Sequence, residues 1–225
     1  MPNYYPIMLD VRGRPAIVVG GDETAAEKAT ALAASGARVT VVDPEFCAEL
    51  REMAARGEVT LRPKPYEYGD LAGAFIVVSA TTYNHALSEA VWAEGQERGQ
   101  IVNVVDVPAR CNFIVPSILR RGQMTIAVSS EGAAPGLSKR IRQRLEELFP
   151  PAYGAYLRLA TAARAHLRAH GVSYGRRDDF FGDYWASDVL DQLAADDAEG
   201  AAATTQTLLR RYGVDIPAAA LEGTS

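Results

Sequence analysis

The sequence predicts an α/β protein built on a doubly wound parallel sheet, followed by a small α+β segment and a helical C-terminal part. Three observations predict it. Short, mostly apolar, β-branched runs recur in the first half, as in residues 15–20 (PAIVVG), 38–42 (RVTVV) and 75–80 (FIVVSA), and such runs are strands buried on both faces of a sheet. Amphipathic stretches of helical spacing separate them, so successive strands run parallel and are joined by right-handed crossovers. After Asp106 the alternation stops, and from Pro151 onward the chain is alanine-rich with helical spacing.

Taken in order, residues 15–20 read as the first strand, ending in glycines. Residues 23–35 carry Ala25, Ala29, Leu32 and Ala33 at helical spacing, and Gly36 closes that helix. Residues 38–42 form the next buried strand and complete a βαβ unit. A helix over 45–56, a strand near 59–62, the run 75–80, a helix from about 84 to 98 and the strand 101–105 continue the pattern. Residues 113–116 and 124–129 read as two strands, and 134–149 as a helix with Leu137, Ile141, Leu145 and Leu148 on one face. Such a pair with one helix buries little by itself, so it is expected to pack against a second copy of the chain. Helices are expected over 153–170, 184–195 and 201–212, with a frayed tail after Ile216. The domains this gives are 1–112, 113–150 and 151–225.

Composition narrows the function. Net charge is −5, and the 23 Lys and Arg residues are scattered except between Lys139 and Arg144, which argues against a nucleic-acid partner. The two cysteines, Cys47 and Cys111, have no C-x-x-C spacing, which argues against a disulfide scaffold or structural zinc and fits a reducing cytoplasm. The start, MPNYYPIMLD, lacks the features of a signal peptide, and no apolar run approaches the ~20 residues of a membrane span. A soluble, cytoplasmic protein without membrane association is expected. His85, His166 and His170 form no metal-binding spacing with a nearby acid or thiol, so no metal site is expected. The aromatic group Phe180, Phe181, Tyr184 and Trp185 is expected to be the core of the helical part rather than a face for a ligand.

Chemistry enters at residues 18–28, VVGGDETAAEK. In the dinucleotide turn G-x-G-x-x-[GA], the first glycine makes the turn, the second admits the pyrophosphate and the third lets helix pack on strand. Gly20 fills the first role and Ala25 the third, but Asp22 occupies the second. Asp43 ends the second strand, about 20 residues on, where an acid accepts hydrogen bonds from ribose hydroxyls and repels a 2′-phosphate. The unit therefore predicts a Rossmann-like domain that prefers NAD to NADP. Asp22 has two readings: its side chain caps the helix beginning at Glu23 and Thr24, or its carboxylate obstructs the pyrophosphate. Asp106 ends a buried strand in NVVDVP, at the end of the sheet where ligands bind. Its plain alternative is a turn or helix cap.

In order, VVGG, Asp43, SAT (79–81), NVVD (103–106), FIVPS (113–117) and AVSSEGAAPGLSKRIR (127–142) resemble the precorrin-2 dehydrogenase family, including the N-terminal module of siroheme synthase. The likeness is close over about residues 1–150 and holds only in kind beyond. It implies an NAD-binding domain, a dimerisation segment and a helical domain. It also implies a homodimer that oxidises the tetrapyrrole precorrin-2 to sirohydrochlorin, with Fe2+ insertion in some members. The resemblance puts the active-site aspartate at Asp106 and cofactor positions at Gly20, Gly21, Asp22, Glu23, Thr24, Asp43 and Pro44, with Thr81 near the nicotinamide half. A serine near the tetrapyrrole, phosphorylated in some members, falls on Ser130.

This chain departs from the family pattern at Asp22, at Thr82 and Tyr83 where an acidic pair is common, and at Ala133 and Ala134 where small polar residues are usual. The implied oxidation removes a hydride and a proton, and Asp106 is the candidate base. The polycarboxylate substrate suits the helix that starts at Ala134 and its cations Lys139, Arg140 and Arg142. The alternative function is a tetrapyrrole chelatase, or a non-catalytic carrier of tetrapyrrole or nucleotide, that no longer uses NAD.

Overall fold

The computed structural model describes residues 4–81 and 83–221. These form two compact units, one up to Val115 and one from Pro116 onward. In the first, five parallel strands pair in the order β3-β2-β1-β4-β5: β1 (Pro15–Val19), β2 (Arg38–Asp43), β3 (Val59–Pro63), β4 (Ile76–Ser79) and β5 (Ile101–Val104). Helix α1 (Glu23–Ala34) joins β1 to β2, α2 (Ala48–Ala55) joins β2 to β3, and α3 (His85–Glu97) joins β4 to β5. The chain adds strands outward to β3 and then returns to the other side of β1. The carboxyl ends of β1 and β4 therefore flank the switch point where doubly wound sheets bind ligands.

Alternate strand residues serve two cores. Val18, Val41, Ile76 and Val78 pack with α1 and α2, while Ile17, Val19, Val77 and Val102 pack with Val91 of α3. The face of α1 toward the sheet is Ala25, Ala26 and Ala29, all fully buried, so small side chains bring the helix close to the strands. The connection from β3 to β4 has no helix and is pinned by a buried charge instead. Glu94 of α3, 1 % exposed, accepts from Tyr66 Oη at 2.6 Å, the Gly69 amide at 2.9 Å, the Leu71 amide at 3.3 Å and Arg98 Nε at 2.7 Å.

The second unit opens with a hairpin, β6 (Ser117–Arg121) and β7 (Met124–Val128), turned at Gly122. Five helices follow: α4 (Pro135–Leu148), α5 (Ala152–Ala169), α6 (Tyr174–Trp185), α7 (Val189–Ala194) and α8 (Ala198–Arg211). Phe180, Phe181 and Tyr184 are buried in the core of this unit with Tyr156, Leu167 and Leu209, as expected, while Trp185 is half exposed.

Three details correct the sequence reading. The first hairpin strand is Ser117–Arg121, not 113–116, because Phe113 packs on the first unit's core and its carbonyl accepts from Asn103 Nδ2 at 2.9 Å. The helix expected over 184–195 is two helices, parted where the Ser187 hydroxyl donates to the Tyr184 carbonyl at 2.8 Å. The tail does not fray directly after Ile216: Ala218–Leu221 form a 3-10 turn, and Ile216 and Leu221 are buried in the core of the second unit. Among the described residues no helix is long and apolar enough to cross a membrane, and no group of three or more His, Cys, Asp or Glu could hold a metal ion.

Burial alone would raise the Glu94 carboxyl, but the hydrogen bonds from Tyr66, the Gly69 amide and Arg98 outweigh it and hold the pKa below the ordinary carboxylate value. A carboxyl lowered in the fold contributes stability above its unfolded pKa, about 4.3, which is lost as pH falls through the folded value. Glu94→Gln should therefore cost about 2–3 kcal/mol in urea unfolding at neutral pH. That cost should shrink as the pH is taken below the folded value.

Candidate functional site

The site is organised by close backbone approach at the end of β1. Gly20 has φ 131°, and a Cβ there would lie 2.6 Å from the Ala80 carbonyl oxygen. A Cβ on Gly21 would overlap the Glu45 carbonyl. The loop after β2 closes on this turn, with Cys47 N donating to Gly21 O at 2.7 Å and Gly20 N to Val42 O at 3.1 Å. Gly21 thus has a task the sequence reading missed, which is admitting the β2–α2 loop. The only signal for it in the sequence is the second adjacent glycine.

A cleft of about 550 Å³ opens at these strand ends, and it brings together Gly20, Gly21, Asp22, Asp43 and Thr81. Glu45, Cys47 and Tyr83 also line it. Asp22 is the N-cap of α1: its Oδ1 accepts from the Ala25 amide at 2.9 Å, and its carbonyl from the Ala26 amide at 3.0 Å. The capping reading of Asp22 is the one the geometry supports. Glu23 and Thr24 are not among the residues lining the cleft, but their amides, which have no intrahelical partner, lie at the positive end of α1 next to Asp22, which does line it.

Asp43 accepts from the Glu45 amide through Oδ1 at 3.0 Å, which fixes the carboxylate and leaves Oδ2 for a ligand. Pro44 lies between these two acids and does not line the cleft. The Thr81 hydroxyl sits between Ser79 Oγ and Ser88 Oγ, each at 2.8 Å, so it locks the end of β4 to α3. Tyr83 is 96 % exposed at the rim, and Thr82 lies outside the described residues. Glycine turn, open helix end and fixed acid are the donor and acceptor set a dinucleotide requires, so the residues present fit NAD.

Asp106 follows β5 and is not among the residues lining this cleft. It stands one strand beyond β4, where Val105 N donates to Ser79 O at 3.0 Å. Its backbone is left-handed, with φ 62°, and its side chain is exposed. Among the described residues its carboxylate has no hydrogen-bond or ion-pair partner, so it caps neither turn nor helix. Cys111 supports this turn by contacts to the Val104 and Val107 carbonyls, both at 3.3 Å, and burial pushes its thiol up. It is a packing residue.

Ser130, Lys139 and Arg140 belong to the second unit. Ser130 Oγ accepts from the Ala134 amide at 3.0 Å and the Ser138 hydroxyl at 3.2 Å, which ties the loop to the start of α4. Lys139 and Arg140 are exposed on α4 and have no ion pair among the described residues. Arg142 is committed to Glu146.

Fold and cleft together define an NAD(P)-binding α/β protein. Residues 7–117 match the family model described as "Putative NAD(P)-binding", and residues 121–148 the one described as "Sirohaem biosynthesis protein central". The siroheme synthase of Photorhabdus laumondii is 37 % identical over 179 residues, which are 80 % of this chain and 38 % of that protein. The siroheme synthase of Methylobacillus flagellatus is 36 % identical over 208 residues, 92 % of this chain and 44 % of that protein. The chain thus spans about two fifths of the length of these relatives. Among solved structures, SirC, a precorrin-2 dehydrogenase, superimposes with a TM-score of 0.74 at 27 % identity, covering 93 % of this chain and 99 % of SirC. The chain belongs to the precorrin-2 dehydrogenase family, which includes the N-terminal part of siroheme synthase.

The capping geometry of Asp22 separates its charge from its structural role. Asp22→Asn keeps a capping oxygen and removes the charge, so it should tighten NAD+ binding by roughly two- to tenfold in calorimetry, with a gain that shrinks as salt is raised. Asp22→Ala should instead cost about 1 kcal/mol of stability through loss of the cap.

Proposed function

We propose that this chain oxidises precorrin-2 to sirohydrochlorin with NAD+ as acceptor. The observation that carries the reading is the nucleotide cleft at β1, β2 and β4 beside an uncommitted carboxylate, Asp106, at the end of the next strand. The fold match to SirC over its whole length supports it. Bound NAD+ supplies the hydride acceptor. The amides of Glu23 and Thr24 hold the pyrophosphate, Asp43 orients the ribose, and Asp43 with Glu45 disfavours a 2′-phosphate, so NAD+ is preferred to NADP+. Asp106 takes the proton that leaves the macrocycle as the hydride departs, so the two hydrogens lost by precorrin-2 are both accounted for. Ser130, Lys139 and Arg140 are assigned to the substrate carboxylates.

We further propose a homodimer built on residues 113–150, between a nucleotide domain, 1–112, and a helical domain, 151–225. Supporting this, Leu137, Ile141 and Leu148 of α4 and Ile118 of β6 are exposed apolar side chains within one small segment. Two free thiols, Cys47 and Cys111, are consistent with a cytoplasmic compartment.

Two measurements test these readings. With precorrin-2 and NAD+ under anaerobic conditions, Asp106→Asn should lower NADH formation by about 10² to 10⁴ without changing the melting temperature. Asp106→Gly should lose the same turnover while gaining up to ~1 kcal/mol of stability, because glycine releases the left-handed backbone. Near-normal turnover of Asp106→Asn would reduce Asp106 to a turn residue. For the dimer, sedimentation at micromolar concentration should give about twice 24.2 kDa, and Leu137→Glu with Ile141→Glu should halve that mass.

A further inference from the structure

The second unit contains a small pocket that includes none of the site residues discussed so far. Helices α5 and α6 line a depression of about 150 Å³. Arg164 and Arg168 enter it from α5, one turn apart, and Arg177 and Asp178 from α6. Phe181 and Trp185, stacked at 5.4 Å between centroids, complete its lining with Tyr174. Three guanidiniums thus share one pocket with a single carboxylate, in a chain whose net charge is −5.

Two of these cations are held in place, Arg168 is exposed, and among the described residues none of the three is ion-paired. The Arg164 guanidinium lies 4.3 Å from the centre of the Phe181 ring, and Arg177 Nη1 donates to the Val172 carbonyl at 2.6 Å. Among the described residues none of Arg164, Arg168, Arg177 and Asp178 forms an ion pair. Two like charges one turn apart on a helix weaken it slightly, α5 carries no acid to offset them, and Asp178 of α6 is the single carboxylate lining the pocket against three guanidiniums. Aromatic rings beside the guanidiniums lower the local polarity, which strengthens the attraction for an anion.

We propose that this pocket binds a phosphate group. A volume of about 150 Å³ is of the size that takes a ligand of about six heavy atoms, so phosphate enters and a macrocycle does not. A tetrahedral dianion offers separate oxygens to three guanidiniums, the residue type suited to forked hydrogen bonds with phosphate. The pocket is distinct from the nucleotide cleft, whose lining is entirely in the first unit. The phosphate source is either free inorganic phosphate or the phosphate group of a small organic ester.

Trp185 reports on the pocket directly. Titrating the full chain with inorganic phosphate at constant ionic strength should give a saturable change in tryptophan fluorescence that Trp185→Phe removes. Arg168→Gln should weaken phosphate binding by about tenfold or more, leaving NAD+ binding and the melting temperature unchanged. Glycerol phosphate binding more tightly than inorganic phosphate identifies an ester as the source, and the reverse identifies the free ion. The proposal is overturned by the absence of saturation up to tens of millimolar, by equal phosphate affinity in the Arg164→Gln, Arg168→Gln double variant, or by glutarate binding more tightly than phosphate.

Discussion

The first unit depends on one constraint, the close approach of three backbone segments at Gly20 and Gly21. A side chain at either position would strike the carbonyl of Ala80 or of Glu45. With glycine at both, the ends of β1, β2 and β4 reach a common cleft, and the β2–α2 loop is fastened to the turn through the Cys47 amide. Asp43 depends on that fastening, since its carboxylate is oriented by the Glu45 amide of the same loop. Asp43, proposed to orient the ribose, and the open end of α1, proposed to hold the pyrophosphate, are thus placed relative to each other by two residues that carry no functional group.

The rest of the unit supplies the rigidity this arrangement requires. Three buried alanines set α1 close against the sheet, so its amino end is held by packing as well as by the Asp22 cap. The helix-free β3–β4 connection packs on the sheet through Leu71, Ala74 and Tyr66 and needs a second anchor for its backbone. Its backbone amides at Gly69 and Leu71 are satisfied by Glu94, which Arg98 compensates in charge. A buried carboxylate is costly unless every bond is made, and here four donors make them. The price of that polar anchor is sensitivity to acid.

Much of this was legible in the sequence for a physical reason: parallel strands buried on both faces must be nearly all apolar, and RVTVV or FIVVSA have few other uses. The turn and Asp43 could be placed because their spacing follows from strand, helix and strand lengths. The role of Gly21 could not, because it reflects a contact with Glu45 that no local pattern encodes. The strand at 117–121 was misplaced because PSILRR mixes apolar and charged residues, as a strand with one exposed face does, and the more apolar FIV beside it drew the assignment. The fate of Arg142 turned on Glu146 one helical turn away, a pair visible in the sequence and passed over. The arginine pocket was illegible, since Arg164, Arg168 and Arg177 lie on two helices whose facing sides only tertiary packing reveals.

Asp22 and Asp106 show how backbone geometry decides the use of identical side chains. Asp22 has extended backbone, with ψ −175°, at the mouth of a helix, where the carboxylate meets the Ala25 amide and is committed to it. A group so engaged stabilises the helix. Asp106 has left-handed backbone in a tight turn that directs no amide at its side chain, and nothing among the described residues claims its oxygens. That conformation costs a non-glycine residue of order 1 kcal/mol or more, less for aspartate than for most, and among the described residues it is held by the Val107 amide on the Val104 carbonyl and by Cys111 and not by any bond to the Asp106 carboxylate. A fold that bears such a cost at the carboxyl edge of a sheet, one strand beyond the nucleotide cleft, keeps a carboxylate unengaged there, which is what the proposed role of Asp106 as a base requires.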